Sequence, residues 1–258
     1  MRGPPVGRGR ARQCGAAEPG DNRAVNASDP DTVAVLDFET TGMSPAMGAR
    51  ATEIAVVLVR GGRIVDRYAS LMNSGAWVPP FIEQLTGISN RMLASAPPAA
   101  QVMREVAAFT RGCALVAHNA SFDRSFWLHE RALADAADAA DAADAADGDV
   151  DAAVGGTGDG PAPGGPVFGC TLLLSRRLYP EAPNHKLGTL ARWHGIMPTG
   201  RAHRALADAE MAGGLWLRIV RDVQDRYAAT VPFGLLCALQ RTPRQQLTRQ
   251  VARYFGAA

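Results

Sequence analysis

The 258-residue sequence predicts an α/β fold whose mixed central sheet opens as three antiparallel strands and is flanked by helices. Two apolar stretches, at 32–38 and 52–59, have the length and composition of strands. The second leads through a Gly-Gly pair, a strong hairpin signal, into a third strand at 63–72. The short and wholly apolar segment at 114–117 suits a strand that is covered on both faces.

The helices are predicted from apolar periodicity and from Pro and Gly boundaries. A short helix is expected near Leu85, and an amphipathic helix is expected at 99–110. The next helix begins near Phe122 and can continue into an Asp-Ala-Ala repeat, because Ala is the best helix former. Three further segments are predicted to be helical: one that 170–172 leads into and that ends near 178, one at about 185–194 and one at about 203–223.

Composition divides the chain into a main domain and two tails. Residues 1–30 are basic and rich in Gly, Pro, Arg and Ala without periodicity, which predicts a disordered tail. The main domain is expected at 31–223, with a low-complexity insertion at 135–166. Residues 224–258 are predicted to form a C-terminal helical tail with a basic, amphipathic end.

Charge, cysteine usage and hydropathy limit the class of protein. The net charge of +2 is too small to indicate nucleic-acid binding by itself. The cysteines are scattered without a C-x-x-C pair, which argues against a zinc site or a disulfide framework and fits a reducing cytoplasm. We see no signal peptide and no apolar run of membrane-spanning length. We therefore expect a soluble, cytoplasmic protein without a membrane partner.

The first strand ends in an unusual pair of acids. Asp37 and Glu39 are two residues apart, so their side chains should point to the same face of the sheet. Carboxylates this close repel each other and are costly to bury unless cations hold them. A D-x-E pair alone more often marks the solvated end of an edge strand, so the pair gains meaning only from other residues.

Two further acids lie at the edges of predicted elements. Asp123 ends the segment HNASFD (118–123), which directly follows the apolar strand. Asp208 ends the segment HRALAD (203–208), in which His203 precedes it by five residues. Each acid has an ordinary explanation when taken singly, because the macrodipole favours carboxylates in the first turn of a helix.

Together with LDFETTG (36–42), these two segments resemble the motifs of the DEDDh family of 3′→5′ exonucleases, which includes the proofreading epsilon subunit of bacterial DNA polymerase III. The three segments occur in the family's order, and the resemblance covers roughly 33–223 apart from the insertion. The spacing from His203 to Asp208 matches the subtype that uses a histidine. The resemblance implies a ribonuclease H-like exonuclease fold for the main domain.

The resemblance also implies a metal-dependent hydrolysis. Asp37 would bridge two Mg²⁺ ions, which Mn²⁺ could replace, while Glu39 and Asp208 would complete the first ion's site and Asp123 would hold the second. Two divalent ions about 4 Å apart can activate a nucleophile and neutralise a phosphate, and Mg²⁺ prefers oxygen ligands. His203 would act as the general base, since histidine ordinarily titrates near pH 6.5.

Substrate contacts follow from the same resemblance. The backbone of the turn after Glu39 would approach the terminal phosphate or sugar, and the segment 85–88 would wedge against the terminal base. Asn119 would support the second motif through a hydrogen bond or a helix cap. The predicted substrate-binding residues are Thr40, Thr41, Gly42, Leu85, Ile88 and Asn119.

The expected activity is the release of mononucleotides from single-stranded or frayed 3′ ends, with DNA proofreading or repair as the preferred role. An RNA-trimming exonuclease similar to ribonuclease T or oligoribonuclease shares the same motif residues and remains an alternative. A third hypothesis is a binding subunit whose C-terminal tail docks a DNA polymerase or a sliding clamp. Its anchors would be the apolar patch at 231–239 or Gln250 with Tyr254 and Phe255, unless these helices pack on their own domain. His118 and His185 could be either structural or functional.

Overall fold

The computed structural model describes residues 32–146, 166–197, 203–227 and 230–256. A five-stranded mixed sheet in the order β3-β2-β1-β4-β5 lies at its centre. Strands β1 to β3 are antiparallel neighbours, and β4 and β5 run parallel to β1. The strands are β1 (Val33–Thr40), β2 (Ala51–Arg60), β3 (Arg63–Leu71), β4 (Ala114–Ala117) and β5 (Phe168–Cys170). The structure confirms the predicted mixed sheet and adds β5, which was not predicted.

Helices cover both faces of this sheet. The helix that begins next to the second motif continues through the Asp-Ala-Ala repeat to Ala146, as expected for an alanine-rich segment. The described helices are α1 (Pro80–Thr86), α2 (Asn90–Ala94), α3 (Ala99–Phe109), α4 (Ala120–Ala146), α5 (Thr171–Leu178), α6 (Leu187–Trp193), α7 (Ala205–Tyr227), α8 (Phe233–Leu239) and α9 (Leu247–Tyr254). Within the described ranges, none of them is long and apolar enough to cross a membrane. The predicted tail at 1–30 and most of the insertion lie outside the described residues.

Strand β1 contributes to two separate cores because its side chains alternate between the faces of the sheet. Val33 and Val35 belong to the core beneath α7, whereas Leu36 and Phe38 belong to the core beneath α3 and α4. Asp37 therefore lies on the α7 face, as its spacing from Val35 predicts. Helix α7 approaches this face closely at Gly213, where a Cβ atom would lie only 3.0 Å from Val57 Cγ2.

The C-terminal helices pack on the same domain. The side chains of Leu235, Leu236, Leu239, Leu247 and Val251 are buried in the core beneath α7. Gln240 closes the edge of β5: its amide nitrogen donates to Phe168 O at 3.0 Å, and its amide oxygen accepts from Cys170 N at 2.7 Å. The apolar patch at 231–239 thus contributes mainly to the core and is not an exposed anchor. Tyr254 and Phe255 remain partly exposed.

Candidate active site

The three motif segments meet at one edge of the sheet. Strands β1 and β4 are parallel, so their carboxyl ends lie at the same edge, where ligands of α/β proteins commonly bind. Asp37 and Glu39 lie among the last four residues of strand β1, and Asp123 lies in the first turn of α4, just after β4. Asp208 lies in the first turn of α7, which packs against β1. The fold therefore brings together the four predicted carboxylates.

Asp37 is at the electrostatic centre of this group. Burial raises the pKa of Asp37 well above its ordinary value, and the charges of Asp123, Asp208 and Glu39 raise it further. The pKa of Glu39 rises to about 8, first because of burial and then because of Asp208 and Glu53, although Arg204 opposes the rise. Burial, and after it the repulsion between neighbouring acids, thus favours the protonated forms of Asp37 and Glu39 in the metal-free protein.

Asp123 reaches the group from the opposite face of the sheet. Strand β4 ends at Ala117 whereas β1 continues, so the Phe38 N–H donates to Asp123 Oδ1 at 3.2 Å instead of to a strand. Asp123 is only 2% exposed, and burial raises its pKa to about 8 even though this hydrogen bond lowers it. Asp123, a candidate metal ligand, therefore joins the end of β1 to the start of α4.

His203 lies beside two of the acids. One ligand atom from each of Glu39, His203 and Asp208 lies within 4.8 Å of the other two. Burial raises the pKa of Asp208, and the neighbouring His203 opposes this rise. His203 is exposed and has a φ of 60°, a left-handed conformation that few residues other than glycine adopt. The local backbone thus turns just before α7 and holds the imidazole at the acids.

A buried glutamate fixes this turn. Glu53 of β2 is 4% exposed and binds the guanidinium of Arg204 at two points, with Nε–Oε2 at 3.1 Å and Nη2–Oε1 at 2.7 Å. Its Oε2 also accepts from Ala205 N at 3.1 Å, the first residue of α7. Because Arg204 lies between His203 and the helix, this contact positions the third motif on the sheet. We call it the β2–α7 clamp.

A second glutamate has the same arrangement at the second motif. Glu130 of α4 is 1% exposed and binds Arg50 at two points, with Nε–Oε1 at 2.9 Å and Nη2–Oε2 at 2.8 Å. Its Oε1 accepts from Ala51 N, the first residue of β2, at 3.0 Å. Arg50 N donates to Thr41 Oγ1 at 3.0 Å, which ties the turn after β1 to the same contact. We call it the β2–α4 clamp.

Sequence reasoning missed both clamps. One signal was present, since Glu53 is the only charged residue in the otherwise apolar stretch 51–59 and a lone charge inside a buried strand requires a partner. Glu130 gives no such signal on a helix with many acids. Its partner Arg50 is 80 residues away and can be found only from the fold.

The structure limits the predicted substrate contacts of the first motif. Thr40 and Thr41 are 7% and 9% exposed, and the Thr40 hydroxyl donates to Gly42 O at 2.7 Å. The backbone N–H of Thr41 already donates to Arg50 O at 2.9 Å, so it is not free for a phosphate. Gly42 is half-buried and lies at the end of the turn. Of the three residues, only Gly42 offers substantial accessible backbone.

The segment around α1 also differs from its prediction. Leu85 is 48% exposed, whereas Ile88 is fully buried against Val78 and Leu93, which removes Ile88 from the predicted contact surface. Trp77 and Phe81, which were not predicted, are 65% and 66% exposed. Trp77 and Phe81 are four residues apart, and Phe81 is four residues before Leu85, and this regular spacing was the available signal. The exposed large apolar side chains of this segment are thus Trp77, Phe81 and Leu85.

Residues around the second motif have different roles. Asn119 is exposed with a φ of 63°, and its carbonyl accepts from Phe122 N at 2.9 Å in the first turn of α4. His118 is structural, because its ring nitrogens lie 2.9 Å from Thr171 Oγ1 and 3.1 Å from His185 O. Burial lowers the pKa of His118 to about 4, so the ring is neutral. His185 Nε2 lies 3.1 Å from Tyr179 O, which also indicates a structural role.

The chemistry of this edge fits a divalent cation. Among the described residues, neither lysine nor arginine forms a salt bridge with Asp37, Glu39, Asp123 or Asp208. Four converging oxygen donors without a protein cation match the ligand preference of Mg²⁺ and Mn²⁺. The imidazole of His203 lies within reach of the same space.

Comparisons with known proteins agree with this site. Residues 34–147 match the RNase T exonuclease family. The chain is 34% identical over 205 residues to a PolC-type DNA polymerase III of Bacillus cereus, covering 80% of this chain and 12% of that protein. It is 31% identical over 207 residues to the 3′-5′ exonuclease DinG of Bacillus subtilis, covering 80% of this chain and 19% of that protein. The chain thus spans under a fifth of the length of these relatives.

Solved structures support the fold. Exonuclease X in complex with 5′ overhanging duplex DNA aligns with a TM-score of 0.54 at 22% identity, covering 80% of this chain and 99% of that one. The nuclease domain of 3′hExo, a DEDDh family member bound to rAMP, aligns with a TM-score of 0.55 at 20% identity, covering 75% and 93%. Both likenesses match the predicted ribonuclease H-like fold. Residues 34–147 thus carry an exonuclease domain of the RNase T family, and the fold assembles the motifs that resemble those of the DEDDh exonucleases at one edge of its sheet.

Proposed function

We propose that the protein is a metal-dependent 3′→5′ exonuclease that releases mononucleotides, most readily from DNA. The observation that carries the proposal is the convergence of four carboxylates that have no lysine or arginine partner in the described structure. Asp37 would contact both ions, Glu39 and Asp208 would complete one site, and Asp123 would hold the other. When bound, two Mg²⁺ or Mn²⁺ ions would neutralise the scissile phosphate and activate the attacking water.

His203 would act as the general base. Its position beside Glu39 and Asp208 supports this role, because a general base must lie within reach of the water that it deprotonates. The neighbouring carboxylates would stabilise the imidazolium that forms after the transfer. Because the His203 side chain is exposed, the proton can leave to solvent.

The segment around α1 would contact the bases at the 3′ end. Trp77, Phe81 and Leu85 are exposed, and Arg50 Nη1 donates to Ser74 O at 3.3 Å, which ties this segment to the turn after β1. Aromatic side chains bind single-stranded bases by stacking, with little dependence on sequence. The segment therefore supports binding of a single-stranded or frayed end next to the carboxylates.

The names of the relatives favour DNA and a role in replication or repair. A PolC-type DNA polymerase and a protein named 3′-5′ exonuclease DinG are among them, and Exonuclease X was solved with duplex DNA. The rAMP in the 3′hExo structure keeps an RNA 3′ end as the alternative substrate. A partnership with a polymerase or sliding clamp would have to use exposed groups such as Tyr254 and Phe255.

The test is digestion of matched DNA and RNA oligonucleotides labelled at the 5′ end. With Mg²⁺ we expect a ladder that shortens one nucleotide at a time from the 3′ end, faster for DNA, and no cleavage in EDTA. Asp208→Asn should abolish the ladder. Asp225→Asn is the matched control, because Asp225 is exposed on the same helix roughly 25 Å away along its axis. An unchanged rate in purified Asp208→Asn would overturn the proposal.

A further inference from the structure

Two neighbouring clefts lie beside the second motif and play no part in the proposed chemistry. One has a volume of about 640 Å³ and is lined in part by Asn119, Arg176 and Lys186. The other has a volume of about 540 Å³ and is lined in part by Asn119, Arg176 and Arg241. The two clefts share Asn119 and Arg176 and therefore adjoin, and we call the pair the cationic trough.

The trough begins at the candidate active site. Asn119 lies two residues after the end of β4 and precedes Asp123 by four residues, about one turn of helix. Arg176 lies on α5, which follows β5, and β5 is parallel to β4. The carboxyl ends of β1, β4 and β5 therefore share one edge of the sheet. A chain that leaves the carboxylates along this edge passes directly over the trough.

The charge of the trough is opposite to that of the carboxylate group. Arg176 and Lys186 are exposed, and neither forms a salt bridge in the described parts of the chain. Neither lining contains an acid. By contrast, the polar cleft beside Tyr179 and Trp193 includes three acids, Glu181, Asp222 and Asp225. Lys186 is also the only lysine in the 258-residue sequence, in which arginine is otherwise used.

The two cations are held on a fixed scaffold. The neutral ring of His118, at the end of β4, lies 2.9 Å from Thr171 Oγ1 and 3.1 Å from His185 O. Thr171 is the first residue of α5, which carries Arg176, and His185 directly precedes Lys186. The Asn184 side chain accepts from Lys186 N at 3.0 Å. His118 thus joins the second motif to both elements that present positive charge, so the trough keeps its place relative to Asp123.

We propose that the cationic trough binds the sugar-phosphate backbone of the substrate strand upstream of its 3′-terminal nucleotide. The proposal rests on the function proposed above and names where the rest of the strand lies. Arginine and lysine bind phosphates without reading sequence, and their contacts give a salt-dependent affinity. The strand would thus be attracted by Arg176 and Lys186 while its terminal phosphate lies at the acidic centre.

The test compares a long substrate with one that has no upstream strand. The double variant Arg176→Gln/Lys186→Gln should bind a single-stranded 20-mer about tenfold more weakly. Its slope of log Kd against log salt concentration should fall by about 1.4, since each phosphate contact on a single strand contributes about 0.7. Hydrolysis of thymidine 5′-p-nitrophenyl phosphate with Mn²⁺ should be unchanged. Arg192→Gln is the control, because Arg192 is exposed on α6 outside both linings.

Binding is measured by fluorescence anisotropy with Ca²⁺, so the result does not depend on turnover. Lys186→Arg should retain affinity because it keeps the charge. Unchanged 20-mer affinity and salt slope in the double variant would overturn the inference. An equal loss on the aryl ester would also overturn it, because the residues would then serve the reacting centre. If the wild type binds the 20-mer through these residues but hydrolyses neither substrate, the trough stands and the proposed activity fails.

Discussion

Glu39 and Glu53 lie directly opposite each other on β1 and β2, yet the protein balances their charges in opposite ways. Glu53 is paired with Arg204 at two points and accepts a backbone N–H, so its charge is neutralised. Glu39 forms no salt bridge with a described lysine or arginine, and burial among other acids raises its pKa to about 8. Arg204 therefore forms a salt bridge with Glu53 and acts on Glu39 only through its more distant charge.

The same contrast extends to the whole edge of the sheet. Glu130, like Glu53, is buried in a clamp with an arginine, whereas Asp37, Asp123 and Asp208 are arranged like Glu39. The two clamps hold the start of α7 and the body of α4 against β2, and the unpaired acids lie on the elements that are held. The difference teaches that the acids paired with arginine hold the elements of this site together, while the acids without such a partner are the proposed cation ligands.

The largest expected effect comes from removing the central unpaired acid. Asp37→Asn should reduce exonuclease activity by about 10³-fold or more, or about 4 kcal/mol of transition-state stabilisation, because Asp37 would contact both ions. It should leave the metal-free fold intact, since an uncharged amide avoids both the burial cost and the repulsion that raise the pKa of Asp37. Single-turnover rates and circular dichroism measure the two parts. A variant that retains activity would place the metal elsewhere.

Removing the imidazole should have the next largest effect. His203→Ala should lower the turnover rate by about 10²-fold, which is typical for loss of a general base. Binding of Mn²⁺ should persist, because the four carboxylates remain. Turnover and metal affinity are measured on the same preparation. Loss of metal binding in His203→Ala would identify His203 as a ligand and contradict its assignment as the base.

One substitution made on both glutamates tests the comparison directly. Glu53→Gln should destabilise the protein by about 2 kcal/mol, because the contact to Arg204 and the N–H of Ala205 is weakened. Glu39→Gln should leave the metal-free protein as stable or more stable, because it removes a repelled charge. Urea unfolding in EDTA gives both values. The comparison fails if the two variants change stability in the same direction and by the same amount.

The unpaired acids should also make the stability of the metal-free protein depend on pH, an effect that we expect to be smaller than those of the substitutions above. The pKa values of Glu39 and Asp123 are raised from 4.5 and 3.8 to about 8 in the metal-free fold, so the folded state holds protons that the unfolded state releases. The contribution of these groups is therefore fully present below about pH 4 and is lost as the pH rises to about 8. Saturating Mg²⁺ should flatten this decline in thermal melts. A stability that rises over the same interval, with or without metal, would contradict the raised pKa values.

Much of the fold could be predicted from local patterns, because β1 to β4 carry apolar runs and the hairpin carries a Gly-Gly turn. Strand β5 was missed because three residues show no alternation and its pairing depends on β4. The five candidates for catalysis and metal binding could be predicted because they lie in three short segments that resemble the motifs of one family and occur in its order. The clamps and the burial of Ile88 could not be, since a side chain's partner 80 or 152 residues away is decided only by packing.

The most direct test is calorimetric titration of Mn²⁺ into the metal-free protein at pH 7, repeated in two buffers with different ionisation enthalpies. If the unpaired acids are the cation site, each protein molecule should bind two ions. Binding should release protons to the buffer, because Glu39 and Asp123, whose pKa values are about 8, must ionise to hold the ions. Glu39→Gln should reduce both binding and proton release, whereas Asp225→Asn should change neither. Binding without proton release, or no binding, would contradict the central claim.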